Sequence, residues 1–344
     1  MKFGIFDYID QRDEPLSKTY DDRLKLLAAA EAAGFYGYHL TEHHATPLSS
    51  TPSPAVYLAA AARETSRIRL GALLFLLPLY HPVRFAEEML MLDNLSHGRL
   101  EIGVGRGIAP AEFDSLGIDF GVSQERFDEA FAILHQAFTQ GRIDYRGKHF
   151  ECIDVPVINR PVQQPHPPYW YGLRGEHGQK FAAAHGMNGV TLGPTARIAG
   201  ILENYRKSWT ENAAEREIFG SPVTEPLLGA MRAMFIADTD AEAESLARPA
   251  YAKWFESLNW LWLHRGLKIP IAISPSFDDA RASGSLVVGS PDTVRGVLAE
   301  QAGIAPFNYL VLQLAFGSLT HEQEMHSLEL FSSEVMPALA PLGS

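Results

Sequence analysis

Three scarcities bound what this chain can be. Of 344 residues only Cys152 is a cysteine, so no intrachain disulfide can form and burial and hydrogen bonding must hold the fold. No apolar run approaches the roughly 20 residues needed to cross a bilayer; the longest, Leu70 to Tyr80, is interrupted by Pro78. Basic side chains are few. The 29 Lys and Arg against 41 Asp and Glu leave a formal charge of −12, which argues against a broad basic face for nucleic acid or an anionic membrane while leaving room for a local basic pocket. The chain begins with strand-like Lys2-Phe3-Gly4-Ile5-Phe6 rather than a basic and apolar leader, so a soluble, cytoplasmic protein with a small-molecule partner is expected. With 46% hydrophobic residues the chain can bury a large core, divided between two ordinary domains or gathered in one α/β barrel.

Strand-like and helix-like stretches take turns along the chain. Phe3 to Phe6 is followed by a stripe at Tyr20, Leu24, Leu27 and Ala28 that Gly34 closes in the C-cap position. Tyr36 to Leu40 is followed by Ser53-Pro54, an N-cap residue before a proline at the first helical position. Ile68 to Leu77 is continuously apolar, as a strand covered on both faces should be, and Pro82 opens a helix with Phe85, Met89 and Leu92 on one face. After the fourth strand, Leu100 to Val104, Ser123 is the expected N-cap of a helix that buries Phe127, Phe131, Leu134 and Phe138. Residues 141–168 suit a hairpin turning at Arg146-Gly147-Lys148 and then a proline-rich excursion. Strands resume at Tyr169 to Leu173, Gly189 to Leu192, Leu227 to Ile236 and Tyr309 to Leu314, whereas residues 257–285 show no sustained period and read as a long loop. Eight strands each followed by helical material predict a single-domain (β/α)8 TIM barrel with insertions at about 141–168 and 257–285; a doubly wound open sheet is the main competitor.

In a barrel, function sits where strands end. Four such ends are chemically unusual: Glu42-His43-His44, Leu73 to His81, "GVGRGIAP" at 103–110 and "YGLRGEHG" at 171–178. Glu42, His43, His44 and His81 could hold a metal, but neighbouring side chains on an extended segment point to opposite faces, which is poor ligand geometry. A histidine bonded in the core, or a general acid or base oriented by the adjacent Glu42, are the other readings. Arg106 among glycines offers a fixed fork of donors to an anion, or pairs with an acid such as Glu112. Gly172, Gly175 and Gly178 lead into a helix N-terminus suited to phosphate, or form an ordinary cap.

The combination resembles the bacterial luciferase-like family of flavin-dependent monooxygenases. "MKFGIF", "AAGFYGYHLTEHH", "LLPLYHPVRFAEEMLMLDNLSHGRLEIGVGRG" and "GSPDTVRGVL" carry the likeness nearly end to end, and the block from 81 to 107 is the specific part. The resemblance implies a barrel that binds reduced FMN, or a deazaflavin in some branches, and oxidises a small organic substrate with O2 through a flavin hydroperoxide; a deazaflavin-dependent hydride-transfer enzyme on the same fold and a non-catalytic flavin-binding protein are the alternatives. It implies His43 as the catalytic histidine with Glu42 beside it, Arg106 on the FMN phosphate, Leu173, Arg174 and Gly175 in a second phosphate loop, and a non-proline cis peptide between Leu73 and Leu74 beneath the ring. Phe6, Leu73, Leu74 and Leu76 would floor the pocket. A separate reductase supplying reduced FMN and a homodimeric assembly are implied likewise, with no metal. The pattern departs at Gly105, where the luciferase α chain has a reactive cysteine, and in "LRGEHG", which lacks the usual serines and threonines. Residues 257–285 match the family's variable insertion by position and are expected to close over the flavin as a lid.

Overall fold

The computed structural model describes residues 1–267 and 273–343. Its strands are β1 (Lys2–Asp7), β2 (Gly37–Leu40), β3 (Arg69–Leu76), β4 (Leu100–Gly105), β5 (Arg142–Arg146), β6 (Glu151–Pro156), β7 (Tyr169–Gly172), β8 (Asn188–Thr191), β9 (Leu228–Ile236), β10 (Leu286–Gly289) and β11 (Tyr309–Gln313). Eight of them, β1 to β4, β7 to β9 and β11, form a closed parallel ring, because β9 pairs with β8 through Leu228–Ala230 and with β11 through Gly229–Ala233. β10 is an addition not foreseen from the sequence. It pairs with the far end of β9, Ala233 to Ile236, and is only four residues long.

Local chemistry explains most boundaries. The helix Leu16–Ala32 stops at Gly34, whose φ of +88° suits a residue without a Cβ. Pro54, Pro82 and Pro291 each open a helix where an unpaired N–H would otherwise stand. β5 and β6 form the expected antiparallel hairpin. Ser123 does not cap: the helix Ser123–Gln140 already includes it, and its hydroxyl instead accepts from Arg106 Nη1 at 3.2 Å.

The segment 257–285 is not the loop that its composition suggested. Residues up to His264 complete a 25-residue helix, Asp240–His264, and a second helix spans Phe277–Ala282 behind the N-cap Ser276. Burial of Ala247, Tyr251, Trp254, Leu258, Leu261 and Trp262 follows helical spacing, and a reading that opens at 257 cuts this stripe in the middle. Trp260 lies on the outer side, and Pro270 falls outside the described residues.

Two layers of side chains make the core. Alternate residues of each strand face outward against the helices, as Leu310 and Leu312 do, while Phe6, Leu73, Trp170, Met231, Tyr309 and Val311 fill the barrel. Its lower half is sealed by a polar knot. Buried Glu101 accepts from Tyr36 Oη and Trp170 Nε1, each at 2.6 Å, and pairs with Arg69 Nε at 2.6 Å. Tyr309 crosses the interior to His39 at 2.7 Å, and it can do so because Gly4 and Gly37 lack a Cβ: one placed there would lie 1.8 and 2.8 Å from the tyrosine oxygen. The closing helix, His321–Leu330, is tied to the first strand through Glu324, which accepts from Arg12 and Arg23, while Arg23 Nε lies 3.3 Å from Asp7. No helix among the described residues is long and apolar enough to cross a membrane.

Burial lowers the pKa of His39 from 6.5 to about 4. Between those values the unfolded chain binds a proton that the folded chain refuses, so stability falls as pH drops through that window and the loss is complete below it. Urea unfolding should show His39→Gln recovering roughly 2 kcal/mol relative to the parent at pH 5 compared with pH 7, from about 1.36 kcal/mol per pKa unit. Parallel pH profiles for the two proteins would remove this role for His39.

Candidate active site

The C-terminal ends of the strands converge on one mouth. β2 ends at Leu40, so Glu42, His43 and His44 follow in an irregular turn rather than on a pleat, and the two imidazoles part. Glu42 is buried and does not orient His43, contrary to expectation. Its Oε1 meets His44 Nε2 at 2.9 Å, and its Oε2 accepts from Leu76 N at 3.0 Å and Tyr80 Oη at 2.9 Å. The acid that holds His43 is Glu112, in the short helix Pro110–Ser115: its Oε1 lies 2.9 Å from His43 Nδ1 and also accepts from His44 N at 3.1 Å. Sequence spacing could not show this partner, which is 69 residues away.

With Nδ1 so engaged, Nε2 of His43 is the nitrogen left to exchange a proton with a ligand. The His43 ring stacks on Tyr8, with centroids 6.1 Å apart and planes at 18°. Burial raises the pKa of Tyr8 and the charge of Arg174 partly opposes the rise, so the phenol stays protonated. Burial disfavours the charged form of His44, but the hydrogen bond and charge of Glu42, followed by the charge of Glu112, raise its pKa overall. His81 lies apart, edge-on to Phe150 at 6.0 Å.

The floor between these groups is apolar. Leu73, Leu76 and Phe6 are buried, and the Leu73–Leu74 peptide is cis. Gly103, Gly105 and Gly172 make room for the leucines: a Cβ at those positions would approach Leu74 side-chain carbons at 2.9, 2.8 and 3.1 Å. The glycine at 105, where a cysteine had been the family expectation, is therefore occupied by the packing of Leu74.

Basic groups stand on the other side. Arg106 does not pair with Glu112; it lies over the Phe120 ring at 5.1 Å and donates to Ser123. Arg174 precedes Gly175, the N-cap residue of the helix Glu176–Ala184, whose N-terminus no side chain caps, while Leu173 is buried. Desolvation and then the like charge of Arg197 depress the pKa of Arg174, which places a second guanidinium nearby that the sequence reading missed. None of the three arginines forms an ion pair among the described residues. Unpaired guanidiniums beside free helix N–H groups suit a phosphate.

Residues 1–305 match the family of luciferase-like monooxygenases. The chain belongs to that family. This luciferase-like chain is thereby placed among oxidoreductases, and the relatives agree. It is 37% identical over 336 residues to the uncharacterised protein y4wF of Sinorhizobium fredii, covering 98% of this chain and 96% of that protein. It is 26% identical, across 99% of this chain and 96% of the other, to the oxygenase component of flavin-dependent trigonelline monooxygenase from Acinetobacter baylyi. Among solved structures, monooxygenase RslO1 of Streptomyces bottropensis superposes with a TM-score of 0.87 at 25% identity, covering 98% of this chain and 99% of that one. The oxygenating constituent of 3,6-diketocamphane monooxygenase from Pseudomonas putida, solved with FMN, shares the fold at a TM-score of 0.81 and 21% identity, covering 98% of each chain.

The glycines of the floor give a graded test. A Cβ at Gly103 would lie 2.1 Å from the Ala72 carbonyl oxygen, a backbone atom, whereas one at Gly105 meets only leucine carbons. Gly103→Ala should cost about 1–3 kcal/mol or abolish folding, and Gly105→Ala distinctly less, in denaturant unfolding. The reverse order would contradict this packing.

Proposed function

We propose that the protein is a flavin-dependent monooxygenase that uses reduced FMN and O2 to oxidise a small organic substrate. The observation that carries this reading is the set of three arginines without ion pairs among the described residues, at the strand ends that also carry an apolar floor and a carboxylate-held histidine. The residues fit the cofactor. Arg106, Arg174 and Arg197, with the helix N-terminus at Gly175, offer donors matched to its phosphate. Phe6, Leu73 and Leu74 offer an apolar bed for its ring, and Leu173 packs beneath the phosphate loop. When bound, reduced flavin supplies two electrons to dioxygen, so that one oxygen atom enters the substrate and the other leaves as water.

The chain's own residues do the rest. Glu112 fixes the tautomer of His43 by accepting at Nδ1, leaving Nε2 to hold or deliver the proton that oxygen reduction requires. Glu42 acts at one remove: it bonds His44, Leu76 N and Tyr80, and so fixes the end of β2 against the floor. Buried Leu73, Leu76, Tyr8 and Trp254 exclude water from the mouth, which favours oxygen transfer to substrate over wasteful release of peroxide. A cytoplasmic homodimer fed by a separate reductase completes the reading. Its supports are the oxygenase-component relative and the exposed Val56 and Met91 on the adjacent helices Pro54–Glu64 and Pro82–Leu95. Its mass in solution and the need for added reductase check it.

Anaerobic titration with reduced FMN and with a reduced deazaflavin should show FMN as the tighter ligand. Arg106→Ala should weaken FMN roughly 10- to 150-fold, from about 1.5–3 kcal/mol for a hydrogen bond to a charged group. His43→Ala should bind FMN as the parent does and lose about two to four powers of ten in turnover. Preference for the deazaflavin, with no oxygen consumed, would replace the monooxygenase with a hydride-transfer enzyme; unchanged FMN affinity in Arg106→Ala would withdraw the phosphate assignment.

A further inference from the structure

Beyond His43 the barrel mouth opens into a second space. A cavity of about 350 Å³ lies between β9, β10 and the helices Asp240–His264 and Phe277–Ala282, lined by Met231, Ala233, Tyr251, Trp254, Leu286 and Gln313 among others. Small-molecule sites are commonly of this size and build, mostly apolar with a few placed polar groups. The wall is continuous with the candidate active site: Trp254 lies 6.1 Å from the Tyr8 ring, which also neighbours His43 and Phe6. None of the floor leucines, and none of the three rim arginines, lines this space.

Its two inner polar groups have no hydrogen-bond partners among the described residues. Gln313, the last residue of β11, alternates with the inward Tyr309 and Val311 and is fully buried, yet neither its Nε2 nor its Oε1 makes a hydrogen bond. Trp254, 3% exposed, likewise leaves Nε1 unpartnered. Buried polar groups normally find partners, because leaving one unmade costs more than the bond returns when made. Two such groups lining one cavity beside a reactive centre are the arrangement expected when a ligand supplies the missing bonds. The chemistry of the set narrows the ligand. Together they offer two kinds of donor, amide and indole N–H, and one amide acceptor, so the ligand must present an accepting oxygen and an N–H or O–H beside it. Among the described residues no lysine, arginine or histidine lines the cavity, and the one charged residue there, Asp279, is an exposed carboxylate, which disfavours an anionic head. The remaining walls take a compact apolar body.

We propose that this cavity is the substrate chamber and that Gln313, with Trp254, selects a neutral amide-type substrate, a lactam or carboxamide on a small hydrocarbon frame. The substrate class rests on the monooxygenase reading; the binding site does not. Gln313 is a specificity residue, outside the proton-handling pair His43 and Glu112.

The test compares ε-caprolactam with cycloheptanone, which differ by an N–H in place of a CH2. Binding to the full chain is followed by ligand-observed NMR, anaerobically, with and without reduced FMN. The parent should bind the lactam about tenfold more tightly, in either condition. Gln313→Leu should erase that preference and raise Tm, because it removes an unpartnered buried amide, and Gln313→Met should do the same with a more adaptable chain. Equal affinities in the parent, no binding of either probe, a preference that survives Gln313→Leu, or a lowered Tm in both variants would each overturn the assignment. Failure of the cofactor reading looks different: lactam preference persists and depends on Gln313, while reduced FMN neither binds nor consumes oxygen.

Discussion

Two buried carboxylates decide what the mouth of this barrel can do. Glu42 and Glu112 take one histidine each from an adjacent pair, and in doing so they join three strand ends. Glu42 also accepts from the backbone of Leu76 and from Tyr80, so the turn after β2 cannot move without disturbing the end of β3 and the floor it forms. Glu112 reaches the same turn from beyond β4. A buried carboxylate needs several partners, and the turn after β2, Leu76 N and Tyr80 supply them together.

The lower barrel solves the opposite problem. Glu101 there is surrounded by Tyr36, Arg69 and Trp170, and His39 is kept neutral against Tyr309, so these groups cross-link the interior near the closed end. Saturation gives a rigid base. Towards the open end polar groups are left unpaired: the guanidiniums of Arg174 and Arg197 at the rim, and Gln313 and Trp254 inside. The cross-linked groups near the closed end hold the strands together, whereas the unpaired groups near the open end lie where a barrel places its ligand sites.

Much of this was legible before any coordinates. Eight strand positions, the prolines that open helices, Gly34 as a terminator and the Arg146-Gly147-Lys148 hairpin follow from period and turn chemistry, both local properties. Misreadings arose where local signals were cut or shared. The helix Asp240–His264 carries Pro249 and its stripe begins well before residue 257, so its last turns resembled a loop when read alone. β10, at four residues, is too short to show a period. Ser123 had the right type and place for a cap, but its hydroxyl serves Arg106.

The sequence by itself determined the class of fold and the residue types gathered at one rim, because strand alternation and helix period depend on neighbours within a few positions. Only the tertiary structure decided pairing. That His43 belongs to Glu112 and not to the adjoining Glu42, that Arg197 lies near Arg174, and that Gln313 has no hydrogen-bond partner among the described residues are facts about groups brought together from far along the chain. Hydrogen bonds form between atoms about 3 Å apart in space, and separation in sequence carries no record of that distance.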